Sequence, residues 1–120
     1  MKEENIIADK SFRFAIRIVN LYKFLCGERK EFILSKQLLR SGTSIGALIR
    51  ESEHAQSKAD FINKVNIALK EANETEYWLL LLKETDYLTE SEFDSIIEES
   101  RELIRLTASI VKTTKLNIEN

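Results

Sequence analysis

The sequence predicts an all-α fold, an antiparallel up-down-up-down four-helix bundle forming one domain over residues 1–120. Three observations predict it. The chain holds no proline and three glycines in 120 residues, and helix-forming residues dominate its composition. Four segments carry apolar residues at helical spacing. The joints between them, near 27–31, 54–57 and 84–89, are so short that sequential helices must lie side by side in opposite directions.

Helix one is expected from about Ser11 to Cys26, ending at Gly27, which can take the left-handed conformation that closes a helix. Phe12, Ala15, Ile16, Val19, Tyr22 and Cys26 form one apolar stripe, assigned to the bundle interior. A second stripe, Phe14, Ile18, Leu21 and Leu25, lies more than a quarter-turn away. One interior needs only one stripe, so the second is assigned to contacts between subunits.

Helix two is expected over about Glu31 to His54, with Leu34, Leu38, Ser41, Ile45, Leu48 and Ser52 on its core face. Each internal glycine costs about 1 kcal/mol relative to alanine. Keeping Gly42 and Gly46 four apart makes sense where another helix backbone crosses close by. Helix three starts at a Ser57 cap with Asp60 completing a variant capping box, and Phe61, Val65, Ala68, Ala72, Thr75, Leu79 and Leu82 form its core stripe. Trp78-Leu79-Leu80-Leu81-Leu82 points all round the helix, so Trp78 and Leu81 join the subunit-contact candidates. Helix four begins after Thr89, with Glu92 completing a capping box, and extends to about Lys115. Phe93, Ile97, Ser100, Ile104, Thr107 and Val111 are its main stripe, flanked by Ile96, Leu103 and Ile110.

The single Cys26 excludes an internal disulfide and fits a reducing compartment. The opening MKEENIIADKSF lacks the basic start and apolar core of a signal peptide. No apolar run approaches the roughly 20 residues that span a bilayer. The expectation is a soluble, cytoplasmic protein with no membrane partner. Charge is polarised along the chain: residues 10–50 carry nine Lys/Arg against Glu28 and Glu31, whereas residues 51–106 carry fourteen acids against six bases. The basic half suits phosphates, or it suits the acidic half of another copy.

Catalytic patterns are missing. Glu51-x-x-His54 has the spacing of a carboxylate-bridged di-metal bundle, but such a site needs two histidines and this chain has one. Cys26 falls on an apolar stripe without a histidine partner, and Gly42-x-x-x-Gly46 lacks the Lys and Ser/Thr of a phosphate loop. No enzyme activity, metal or cofactor is expected. One polar constellation stands out: Arg40, Ser44 and Glu51 on helix two, with Glu71 and Glu74 on helix three. The planar fork of Arg40 can hold a carboxylate through two hydrogen bonds, pairing Arg40 with Glu71 or Glu74.

Leu39-Arg40-Ser41-Gly42-Thr43-Ser44-Ile45-Gly46-Ala47, Arg50-Glu51, Gln56-Ser57-Lys58, Asp60-Phe61-Ile62 and the segment from Ile67 to Leu79 closely resemble one family. It is the four-helix bundle proteins first described from intervening sequences in bacterial 23S ribosomal RNA genes. Leu48 departs from it, standing where the family commonly has asparagine. The resemblance implies a left-handed up-down bundle that assembles into a ring-like homopentamer. A related bundle, the accessory variability determinant of diversity-generating retroelements, is a strongly basic nucleic-acid-binding partner of a reverse transcriptase; this chain is acidic overall, at net charge −2.

The expected function is therefore a non-enzymatic, self-assembling scaffold or accessory protein that contacts RNA or DNA through a basic face of helices one and two. Lys10, Arg13, Arg17, Lys23, Arg29, Lys30 and Lys36 are the candidate phosphate contacts. Phe14, Ile18, Leu21, Leu25, Trp78 and Leu81 are the candidate subunit contacts. The alternative is an adaptor for a protein encoded nearby, without nucleic-acid binding.

Overall fold

Four helices, α1 (Lys2–Gly27), α2 (Leu34–Ser52), α3 (Lys58–Glu84) and α4 (Glu90–Glu119), account for nearly the whole computed structural model. It describes the backbone of residues 2–119 and the side-chain surroundings of residues 5–117, and no strand occurs among them. Each helix packs on its neighbours in the order α1–α2, α2–α3, α3–α4, with α4 returning to α1. The molecule measures 50 × 21 × 20 Å. Its long dimension follows from α4, whose 30 residues rise about 45 Å at 1.5 Å each.

The caps of α3 and α4 are those the sequence predicts. The Asp60 amide donates to Ser57 Oγ (3.0 Å), and the Gln56 amide donates to the Asp60 carboxylate (3.2 Å). On α4 the Glu92 amide donates to Thr89 Oγ1 (3.1 Å), while the Thr89 amide donates to Glu92 Oε1 (2.8 Å). Each exchange satisfies amides that the first helical turn would otherwise leave unpaired.

Glu31 is a correction. It does not begin α2 but caps it from outside, its buried carboxylate accepting from the amides of Ile33 (3.1 Å), Leu34 (3.0 Å) and Ser35 (2.7 Å). Ser35 Oγ returns a bond to the Glu31 carbonyl (2.8 Å). Desolvation pulls the Glu31 carboxyl upward, but the three amides and the Ser35 hydroxyl outweigh it and hold it below the usual carboxylate range. The helix ends at Ser52, short of His54.

The larger correction concerns α1. It starts at Lys2 rather than Ser11, and the added turns bring Ile7 into the core. Ile7, Ser11, Phe14, Ile18 and Leu25 are fully buried, whereas Phe12 and Ile16, assigned to the interior, are 57% and 49% exposed. The two stripes exchange places. Phe14, Ile18 and Leu25 are thus unavailable to a neighbouring subunit, and Leu21 is half-buried against the same core.

The α2 glycines explain the choice. Helix α2 continues unbroken through Gly42 and Gly46. A Cβ on Gly46 would lie 3.3 Å from the Ser11 carbonyl oxygen, and one on Gly42 would lie 2.8 and 2.9 Å from the Cγ atoms of Ile18. The two helices touch backbone to backbone at Ser11, and it is the Ser11–Ile18 side of α1 that lies against the two glycines. The α3 stripe from Val65 to Leu82 is buried as expected, with Thr75 Oγ1 donating to Ser41 Oγ (3.0 Å) across the core. On α2, Ile49 rather than Leu48 completes the buried face.

Candidate functional site

Among the described residues the distinctive features lie on the outside, in open grooves and exposed faces. The outer face of α1 presents Phe12 and Ile16, with Val19 half-buried beside them. Next to it, α1 and α2 form a groove of about 400 Å3 whose walls are Phe12, Ala8, Ala15, Thr43, Gly46 and Ala47. Small residues make it because the backbones approach so closely at Gly46. The groove is a surface feature of the same contact that sets the core.

A second apolar face lies on α3. Tyr77 is 57% exposed and Leu80 is at the margin of exposure, because Leu79 and Leu82 take the inward positions of the five-residue apolar run. Trp78 and Leu81 are half-buried, and Trp78 packs against the core rather than projecting. Its ring meets Tyr77 edge-on at 5.1 Å, and its indole N–H donates to Glu74 (3.1 Å).

Arg40 spans from α2 to α3, donating to Glu71 Oε2 (3.0 Å) and to Glu74 Oε1. It pairs with both carboxylates rather than one. The Arg40 hydrogen bond, helped by the indole, holds the Glu74 carboxyl below its ordinary range against desolvation. Ser44 serves only the helix, donating to the Arg40 carbonyl (2.5 Å), and Glu51 is exposed outside the network.

The seven candidate cations divide sharply. Lys10 pairs with Glu102 (3.1 Å) and Arg17 with Glu99 (2.8 Å) across the α1–α4 seam, and Arg29, on the α1–α2 loop, pairs with Glu92 of α4 (2.8 Å). Arg17 also donates to the Ser95 carbonyl and hydroxyl, and Arg29 to the Tyr87 carbonyl, each at 2.8 Å. Arg13 pairs along α1 with Asp9 (3.0 Å). The basic and acidic halves of the chain therefore meet within one chain, a contact that the sequence suggested for Arg40 alone. Lys23, Lys30 and Lys36 are exposed and have no carboxylate partner among the described residues.

Those three lysines lie on the loop and the two helix ends that flank an apolar tip absent from the expected site. Phe32 and Ile33, on the α1–α2 loop, are 57% and 76% exposed. Two adjacent bulky apolar residues at a joint were the available signal, hidden because helix two was expected to include them. Cys26 Sγ lies 3.7 Å from Ser35 Oγ at this end of the bundle, while His54 is exposed beyond the other end of α2. Among the described residues no group of three His, Cys, Asp or Glu is arranged to hold a metal ion, and no helix is long and apolar enough to cross a membrane.

The family described as 23S rRNA-intervening sequence protein matches residues 3–109. The chain is similar to the crystal structure of a protein of unknown function from the S23 ribosomal protein family, from Bacteroides thetaiotaomicron. The two are 64% identical, the match covers 92% of this chain and 98% of that one, and the TM-score is 0.90. Comparison with curated proteins finds no match. The family match spans all four helices and includes the glycine contact, the Arg40 fork and both capping boxes, so this chain belongs to the 23S rRNA-intervening sequence protein family.

Proposed function

We propose that this protein is a non-enzymatic scaffold or accessory subunit of the cytoplasm that assembles with itself, and that contacts RNA or DNA through basic residues of α1 and α2. In this reading each subunit is an antiparallel, left-handed up-down-up-down bundle, and five of them close into a ring. Opposed numbering supports the directions: Lys10, Arg17 and Arg29 meet Glu102, Glu99 and Glu92 in descending order. The handedness and the number five rest on the family resemblance.

The observation that carries self-assembly is the outer face of α1, where Phe12 and Ile16 remain in water although the opposite face already fills the core. A ring uses two different faces of each subunit, and the Tyr77–Leu80 face of α3 supplies the second. Static light scattering tests this reading: a mass near five times that of the subunit is expected, and a monomer overturns it. Phe12→Glu with Ile16→Lys should give a monomer of unchanged helical circular dichroism. An assembled protein that binds no oligonucleotide at about 50 mM salt is instead the protein adaptor.

A further inference from the structure

We infer that this protein holds single-stranded RNA or DNA at the α1–α2 loop, with Lys23, Lys30 and Lys36 on phosphates and Phe32 stacked on a base. The inference rests on the nucleic-acid part of the function proposed above and narrows it to one end of the bundle. Four of the seven basic residues that the sequence offers already face carboxylates. A phosphate would have to displace those partners, losing at one contact what it gains at the other. The three unpaired lysines lie on the last turns of α1, on the loop and on the first turn of α2. Cys26 and Ser35, in contact at 3.7 Å, bring those helix ends side by side.

The exposure of Phe32 is built in. Lys30 takes a positive φ of 56°, a conformation that costs a side-chain-bearing residue energy, and the turn sends the Glu31 carboxylate inward. With Glu31 held by three amides of α2, Phe32 and Ile33 emerge on the solvent side of the loop. The N-terminal amides of α2 are thereby occupied and take no part in anion binding. The loop presents an exposed aromatic ring with Lys30 on the same loop and Lys23 and Lys36 on the flanking helix ends, and an aromatic face beside cations is the combination that binds single strands without reading sequence.

Charge separates a strand from a flat anionic membrane. Arg29 donates to the Tyr87 carbonyl, so the α3–α4 loop sits at the same end of the molecule. That loop exposes Glu84, Asp86 and Glu90. A bilayer lying across this end would meet Glu84, Asp86 and Glu90 as well, whereas a strand crossing α1 and α2 meets Lys23, Lys30 and Lys36 against one exposed acid, Glu28.

Fluorescence anisotropy of full-length protein with labelled single-stranded RNA, single-stranded DNA and duplex DNA of mixed sequence tests this, between about 50 and 200 mM salt. Both single strands should bind more tightly than duplex, and the RNA and DNA arms show which the site prefers. Replacing Lys23, Lys30 and Lys36 with alanine should lower the log–log salt slope by about 2, at roughly 0.7 per phosphate contact on single strands. Phe32→Ala should weaken binding about 5- to 100-fold and leave the slope unchanged, the signature of lost stacking. Lys10→Ala and Arg17→Ala should leave affinity unchanged.

Equal losses from Lys10→Ala and Arg17→Ala would overturn this inference while leaving the proposed nucleic-acid contact standing on the α1–α4 seam. Tighter duplex binding, or binding to phosphatidylserine vesicles without binding to oligonucleotide, overturns it too. Absence of binding to every nucleic acid sinks both readings, and light scattering still decides self-assembly independently. All six substituted positions lie outside the buried core, and circular dichroism checks that each variant folds.

Discussion

Helix α1 is held on two sides by unlike forces. Against α2 the contact is backbone on backbone: Gly46 leaves no room between itself and the Ser11 carbonyl, and Gly42 none beside Ile18. Against α4 the outer seam is bridged by long half-exposed side chains, Lys10 and Arg17 reaching Glu102 and Glu99, with Arg29 of the following loop reaching Glu92. Open grooves of about 440 and 330 Å3 run along it. The first seam depends on van der Waals contact, which falls off within an ångström and ignores salt. The outer part of the second depends on charges that water and ions screen.

The largest effect should come from filling the glycine seam. Gly46→Leu drives a branched side chain toward the α1 backbone, and overpacking of this kind costs about 3 kcal/mol. Thermal unfolding followed by circular dichroism should show a lower Tm with no dependence on salt. An unchanged Tm would mean that the helices separate without penalty. Gly42→Ala is gentler because two effects oppose: alanine gains about 1 kcal/mol of helix propensity, and displacing the buried Ile18 costs about 1–3 kcal/mol. Destabilisation of about 1 kcal/mol is expected by urea denaturation, and net stabilisation would show that Ile18 yields freely.

Arg17→Ala probes the other seam. It should cost about 0.5–1 kcal/mol at low salt and less at about 1 M salt, where screening has already weakened the pair. Equal costs at both salts would assign the role of Arg17 to packing of its stem.

The smallest effect concerns protons. The Thr89 amide, with the Arg29 charge adding to it, holds the Glu92 carboxyl below its usual range. A depressed folded-state pKa stabilises above the unfolded value of about 4.3 and ceases to do so as pH falls through the folded value. Glu92→Gln should therefore flatten the loss of Tm between neutral pH and about pH 3. A profile parallel to wild type would show that Glu92 titrates alike in folded and unfolded chains.

The inward face of α3 was legible because its stripe, its Ser57 cap and its small residues all agree, whereas Trp78, assigned to a subunit contact, packs on the core instead. On α1 two stripes compete, and periodicity alone ranks them equally. The decision is made by a neighbour: Gly42 and Gly46 accept the Ser11–Ile18 side. Ile7, one turn ahead of Ser11 on the buried stripe, was the local clue, lost when the helix was started too late. The Arg40 contact was readable because Glu71 and Glu74 fall on the right margin of α3, whereas Glu51 lies three turns beyond Arg40 on α2 and reaches neither. Charge polarity was plain, but a list of charges does not say whether opposite signs meet inside one subunit. The tip at Phe32 depends on the turning-in of Glu31, which is a three-dimensional event with no period to betray it.

The chain's one tryptophan has a further consequence. Trp78 is half-exposed, edged by Tyr77 and hydrogen-bonded to the same carboxylate that Arg40 grips. Its emission colour therefore reports solvent at a single known spot. If the proposed assembly covers this spot, dilution should redden that light slightly while the helices stay intact, and heat should redden it much further as the indole loses its berth. One label-free spectrum can thus separate a parting of copies, where the proposed assembly forms, from the melting of the chain itself.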